Sequence, residues 1–338
     1  MPGQDSCTYT DEKTLTEFLM RITCSLVGLL CVAHGATAQQ NSEPSVGQSV
    51  MVIQQGAQFR VQGEQSMPAP LGIVLEVSQV NSQWLWFKGQ RGWLKQSDVV
   101  ARDQVIRYFT DQIKRNPTSQ AYQQRGVAQA ALGQFDEAVA DFTEAIRRDA
   151  NSVAAYNDRG NARRKLRKMD EALADFSATI ERGARHPAVF TNRGLVRHEQ
   201  GNFDQALADF NSALQIDPRF APAWEASGAA RQAKGDAAKA IANYRRAIEI
   251  DSEFDRAHNN LAWLLATSPD EEIRDGAAAV RHATKANELA SYSDAGYLDT
   301  LAAALAETRQ FEQAVTRAKP KKPSRKLWTN RSQPSNRG

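Results

Sequence analysis

From residue 119 onward, apolar positions recur with helical spacing, and the helical segments themselves repeat. Gly126, Gly160, Gly194 and Gly228 stand 34 residues apart, and Ala138, Ala172, Ala206 and Ala240 keep the same interval. So do Phe142, Phe176, Phe210 and Tyr244, and likewise Ile146, Ile180, Leu214 and Ile248. An aromatic opens each unit in the same register: Tyr122, Tyr156, Phe190 and Trp224. Independent columns at one period define a repeat architecture. Inside a unit, the runs Tyr122 to Leu132 and Asp136 to Arg147 have helical spacing and break at Gly133-Gln134, which predicts a helix hairpin. Small Gly or Ala residues let the two helices approach, and the aromatics fill the space between one hairpin and the next. Asp149, Asp217 and Asp251 mark the turn into the following unit. One hairpin cannot bury its own apolar face, so stability comes from stacking neighbours.

Four units are regular: 119–152, 153–186, 187–220 and 221–254. A fifth, 255–293, inserts about five residues around Thr267–Asp275 before its second helix, relative to the spacing of the other units. A sixth, 294–318, opens at Tyr297 and carries Phe311 and Ala314 in its second helix. Ahead of the array, Val105, Phe109 and Ile113 predict a helix over 102–118 that caps the repeats and links them to what precedes.

Between residues 46 and 101 the period changes to two. Ser49–Ile53, Gly72–Val77 and Gln83–Lys88 read as strands, a turn at Lys88–Gly92 uses glycine for its positive φ, and Trp93–Lys95 follows. Gln96–Val100 closes the unit. Several short strands in so few residues predict a small barrel, because closure removes exposed edges. Trp84 and Trp86 share one face of their strand, while Leu85 and Phe87 share the other. One face is core; most of these aromatics are expected there, and the alternative is a ligand-stacking surface.

The amino-terminal 38 residues differ again. Met20-Arg21 precedes a short apolar run from Ile22 to Ala33 and the small-x-small site Ala36-Thr37-Ala38, the pattern of a secretory signal peptide. Residues 1–19 carry Asp5, Asp11, Glu12 and Glu17, the wrong sign for a signal's start. Translation is therefore expected to begin at Met20, with cleavage after Ala38, a linker at 39–45, and an exported, periplasmic or extracellular product. The apolar run is too short for a permanent membrane span. Cys7, Cys24 and Cys31 are the only cysteines, so the mature chain would hold no disulfide, thiolate nucleophile or Cys-ligated metal.

The chain has 338 residues and a formal net charge of +3. Eight Lys/Arg and no Asp/Glu fall between Arg317 and Gly338, so the preceding body is mildly acidic. That distribution argues against a nucleic-acid-binding surface. The basic, Pro-containing tail 319–338 reads as disordered, either an anion-binding arm or the product of an altered reading frame.

The repeat columns resemble the tetratricopeptide repeat (TPR) family: aromatic, Gly, Ala, aromatic, Ala, then Asp217-Pro218 at a unit's end. The resemblance implies a mainly α fold, a right-handed α-helical solenoid of about six hairpins. The run Trp84-Leu-Trp-Phe-Lys-Gly-Gln-Arg-Gly-Trp-Leu-Lys resembles the end of a bacterial SH3-like domain, which implies an all-β barrel binding peptides or cell-wall components, with Trp84, Trp86 and Trp93 as candidate ligand contacts. By the first resemblance, residues two, five, nine, twelve and thirteen of each unit face a concave groove that binds an extended peptide or partner helix. These columns and their neighbour Asn192 give Gln120, Gln123, Asn157, Asn161, Arg164, Lys165, Thr191, Asn192, His198, Glu199, Glu225 and Gln232. Amides suit a peptide backbone because they both donate and accept. Some TPR proteins clamp a terminal carboxylate; Asn161 and Asn192 match two clamp positions, but Asn157, Pro222 and Ala226 stand where it needs cations.

Arg159, Arg163, Arg164, Lys165, Arg167 and Lys168 form the densest basic cluster, read either as a solvated helix end or as a site for an acidic peptide or anionic wall polymer. His34, His186, His198, His258 and His282 show no metal-binding spacing, and there is no phosphate loop or nucleophile elbow. The sequence therefore predicts a non-enzymatic exported adaptor for protein partners, with no metal or cofactor. The alternative is a cell-wall module bound through its barrel.

Overall fold

The computed structural model describes residues 44–54, 56–61 and 66–310. The signal segment with its three cysteines, the helix expected around Phe311 and Ala314, and the basic tail lie outside these residues.

Eight short strands open the fold: β1 (Ser49–Val52), β2 (Gln58–Val61), β3 (Met67–Pro68), β4 (Val74–Glu76), β5 (Gln79–Asn81), β6 (Trp84–Phe87), β7 (Gly92–Lys95) and β8 (Val99–Ala101). They form two antiparallel sheets, ordered β4-β1-β8 and β3-β2-β7-β6-β5. Val50, Val52, Phe59, Leu75, Val77, Leu85, Phe87 and Leu94 fill one core between them. On β6 the alternation resolves in favour of Leu85 and Phe87, which are fully buried. Trp84, Trp86 and Trp93 lie on the opposite face, half-buried, so most of the aromatics are not core. The turn after β6 also differs from expectation: the residue at positive φ is Arg91, not a glycine.

The helix α1 (Val105–Arg115) buries Val105, Phe109 and Ile113. Val105 and Phe109 join Met51 and Ile53 of the β region and Ala128 of the first hairpin in one apolar cluster. Eleven helices follow as hairpins: α2 (Ser119–Ala131) with α3 (Phe135–Arg148), α4 (Val153–Lys165) with α5 (Met169–Glu181), α6 (Pro187–Glu199) with α7 (Phe203–Ile216), α8 (Ala221–Ala233) with α9 (Ala237–Ile250), α10 (Asp255–Thr267) with α11 (Gly276–Leu289), and α12 (Ala295–Glu307).

The glycine column works inside each hairpin. At Gly194 an added Cβ would lie 2.5 Å from the Phe210 ring, so the ring of the second helix lies directly on the backbone of the first. The same ring continues outward: Phe210 clusters with Ala226 and Ala230 of the next unit. The aromatics thus serve both contacts, not only the one between hairpins. Asp149, Asp217 and Asp251 hold their turns by accepting the backbone N–H two residues on. The fifth unit's connector, Ser268–Asp275, is pinned by the buried Ser268, whose hydroxyl accepts from Asp270 N while its carbonyl accepts from Arg274.

First helices of successive units pack directly on one another along the array, closely for α10 with α12, whereas among the described residues no comparable packing joins successive second helices. The stack therefore curves with first helices inside. This places their outward-turned columns on a concave face.

Candidate functional site

The inner face is built from α2, α4, α6, α8 and α10, and its polar residues pair across unit boundaries. Gln123 donates from Nε2 to Asp158 Oδ2 at 2.9 Å, and Asn157 donates to the other oxygen at 3.2 Å. Two units on, Asn260 donates to Glu225 Oε1 at 2.8 Å and Arg256 reaches Glu225 Oε2 at 2.9 Å. Burial pushes both carboxyl groups above the ordinary carboxylate range, and these hydrogen bonds oppose the rise. Thr191 bonds back to Pro187 O at 3.0 Å and is buried. Gln232 accepts from Tyr244 Oη of its own hairpin at 2.8 Å. Gln120 and Lys165 are exposed, and Asn161 and Asn192 are half-buried. Glu225 is buried and serves the floor of the groove rather than its surface.

The basic cluster is not a free cationic patch. Arg159 and Arg163 both bind the buried Asp175, at 2.7 Å each. Arg164 binds Glu199 at 2.5 Å and Arg167 binds it at 3.2 Å, while Lys168 lies 3.4 Å from Asp136. Five of the six cations have a carboxylate partner, but only Asp136, Glu171, Asp175 and Glu199 supply them, so the cluster keeps a net positive charge.

Eight buried polar atoms lack a partner among the described residues; Gln129 Oε1, Arg163 Nε, Arg231 Nε and Asn287 Oδ1 lie off the groove columns, and the other four lie on them. Those four are Asn157 Oδ1, Arg164 Nε, His198 Nε2 and Asn259 Oδ1. All four residues occupy position five or twelve of a unit, the groove columns. A buried polar atom without a partner is costly and needs an explanation. Sequence spacing also extends the face further than first drawn. Trp263, at position nine of the fifth unit, is 42% exposed although it is a large apolar ring. Its column mates Val127, Asn161, Leu195 and Ala229 are visible at the 34-residue period, which would have found it.

Two histidines that look scattered in sequence meet in the fifth hairpin: the Nδ1 atoms of His258 and His282 lie 2.8 Å apart. Among the described residues no group of three or more His, Cys, Asp or Glu is arranged to hold a metal ion, and no helix is long and apolar enough to cross a membrane.

On the β region, Trp86 and Trp93 face each other across β6 and β7 with ring centroids 5.3 Å apart. The Arg60 guanidinium stacks 4.3 Å over Trp84, and the Lys95 ammonium lies 5.8 Å from the same ring. The three tryptophans thus share one outer face, edged by two cations.

The tetratricopeptide repeat family matches residues 124–184 and 157–221, and the family described as TPR repeat matches residues 228–267. The array is built of tetratricopeptide repeats. Among solved structures, the TPR array resembles a chain of the APC/C hetero-tetramer Cut9–Hcn1, at 15% identity and a TM-score of 0.57 over 64% of this chain. That match covers 42% of the other chain's length. YrrB, described as a TPR protein with an unusual peptide-binding site, aligns at 19% identity and a TM-score of 0.43, over 60% of this chain and 97% of YrrB. A thermophilic TPR protein of Thermus thermophilus aligns at 20% identity and a TM-score of 0.46, over 59% of this chain and 100% of its own. No curated protein matches the sequence. The TPR fold is that of a protein-interaction scaffold, and no catalytic family is indicated.

Proposed function

We propose that this protein is an exported adaptor whose TPR groove binds an extended segment of a protein partner. The observation that carries the reading is the set of orphaned polar atoms on Asn157, Arg164, His198 and Asn259, regularly placed on the inner helices. A peptide backbone running along the groove supplies both donors and acceptors to such groups. Export rests on the segment Met20–Ala38 and the absence of cysteine after Cys31.

A photo-cross-linking residue placed at Asn161 tests this reading in the exporting cell, with Ala174 on α5 as the outer-face control. Asn161 should capture a discrete partner that Ala174 does not, and Asn157→Ala with His198→Ala should weaken capture about tenfold. Equal capture at both positions would end the groove reading.

One observation favours a second role for the β region. The outward tryptophans beside Arg60 and Lys95 form an aromatic, cationic face of the kind that docks a wall peptide or glycan, in keeping with an SH3-like barrel. Trp86→Ala and Trp93→Ala should then abolish sedimentation of the chain with isolated cell wall; unchanged sedimentation removes this role.

A further inference from the structure

A cavity of about 340 Å³ lies where the β region, α1 and the first repeat meet. Its floor is apolar, made by the buried Ile53, Phe109 and Ala121. Its walls carry five amides, Gln54 from the loop after β1, Gln112 on α1, Asn116 just beyond it, and Gln120 and Gln124 on α2, with Tyr108 and Thr118 beside them. Among the described residues no Lys, Arg, His, Asp or Glu lines it. Among the described residues, the side chains of Gln54, Gln112, Asn116 and Gln124 find no hydrogen-bond partner. Five amides converging on an apolar floor, contributed by three separate parts of the fold, is the composition of a ligand cleft, and the volume lies at the lower end for such sites.

We propose that this cavity receives an uncharged stretch of an extended peptide and forms the amino-terminal end of the groove, an extension that rests on the groove reading above. The chemistry selects the ligand. Gln54, Gln112, Asn116 and Gln124 each offer an acceptor oxygen and a donor NH₂, the pairing that a peptide backbone presents at every residue. A free carboxylate or ammonium entering the cavity would meet no opposite charge and lose hydration. Gln120 and Gln124 also stand on the same helix as Gln123, the first member of the inter-repeat ladder. A strand leaving the repeats past Gln123 therefore passes directly into the cavity. The outer wall comes from Gln54 and Gln112, outside the repeats altogether, so the β region and α1 become part of the recognition surface and not only a cap.

The test uses the full chain and a pool of N-acetylated, C-amidated octapeptides made of Gly, Ala, Ser, Thr, Asn and Gln, followed by fluorescence anisotropy. Two variants are compared with the parent: Gln112→Leu with Gln124→Leu, which keeps volume and removes hydrogen bonding, and Asn157→Ala with His198→Ala in the repeats. Saturable binding that weakens about tenfold in the first variant, with its thermal midpoint unchanged, supports the proposal. Binding that weakens only in the second variant overturns the cavity and leaves the groove standing. Loss only in the first keeps the cavity and removes the groove. Preference for chito-oligosaccharide over the peptide pool, sensitive to Gln112→Leu, overturns the peptide assignment. Absence of saturable binding at millimolar peptide overturns the proposal outright. A thermal midpoint lowered in the first variant moves the comparison to Gln112→Glu, whose inserted charge should exclude the peptides; unchanged binding there also overturns it.

Discussion

Arg125, Arg159 and Arg193 recur every 34 residues, and Asp141, Asp175 and Asp209 recur with them. Each pair joins the two helices of one hairpin through the arginine's Nε and Nη2, with closest distances of 2.7 Å. The aspartates are buried, and Asp175 and Asp209 each accept a second arginine, Arg163 and Arg197. In the fourth unit a neutral bond, Asn243 to Ser227 at 2.9 Å, holds the same place. Removing one carboxylate strands two cations against a nearly dry floor, which costs far more than losing a surface pair. Asp175→Asn is expected to destabilise the protein by about 3 kcal/mol, read as a lowered urea midpoint. The period already displayed these columns. Helix-surface charges pair with each other by default, however, and nothing in one helix's spacing reveals that positions sixteen residues apart meet across a hairpin. The apolar columns were legible because burial is written in residue type; the buried charges were not. The same limit hid the meeting of His258 with His282.

At the scale of elements, the array was readable and the β region only partly so. Strands β1, β4, β6 and β7 carry alternating or continuous apolar residues, while β5 is exposed along its whole length and β2 turns only Phe59 fully inward. An edge strand with no buried face has no period to read. The docking of the β region onto the repeats had no sequence signal either, because its shared apolar cluster joins distant segments and one of its contacts is a close backbone approach. Gly72 sits at φ +81, and a Cβ there would lie 2.6 Å from Val127 Cγ1 on α2. Gly72→Val should therefore cost about 1–3 kcal/mol and loosen this contact, exposing residues 102–118 to limited proteolysis. Adding Val127→Ala should recover the steric part while the backbone strain remains. Proteolysis equal to that of the parent chain would show that the contact does not hold the β region in place.

A solenoid's stability is approximately a sum over units and their nearest neighbours, so a local weakness stays local. The His258–His282 contact is such a place. His258 Nε2 faces Ser252 O at 3.2 Å, which assigns its proton there and leaves Nδ1 to accept from His282. Burial pulls both rings below the ordinary imidazole value, His282 to about 4, with His258, Arg281 and Arg245 adding to the effect there. Asp275 opposes it beside His282, and Asp251 and Asp255 oppose it beside His258, where Lys285 adds to the lowering. In the unfolded chain both rings take up protons near pH 6.5. Between that pH and about 4 the unfolded state binds more protons than the folded one, so stability falls as pH falls. The loss should appear as reduced hydrogen-exchange protection factors in α10 and α11 at pH 5 relative to pH 7, while α2 to α7 keep theirs. His282→Asn removes one titrating ring and should flatten that difference. A uniform loss along the array, or an unchanged slope in the variant, would assign the pH dependence to other groups. Because α12 packs on both helices of this hairpin, the same protonation should loosen the carboxyl-terminal end of the groove, beside Trp263, and leave the amide-lined end intact.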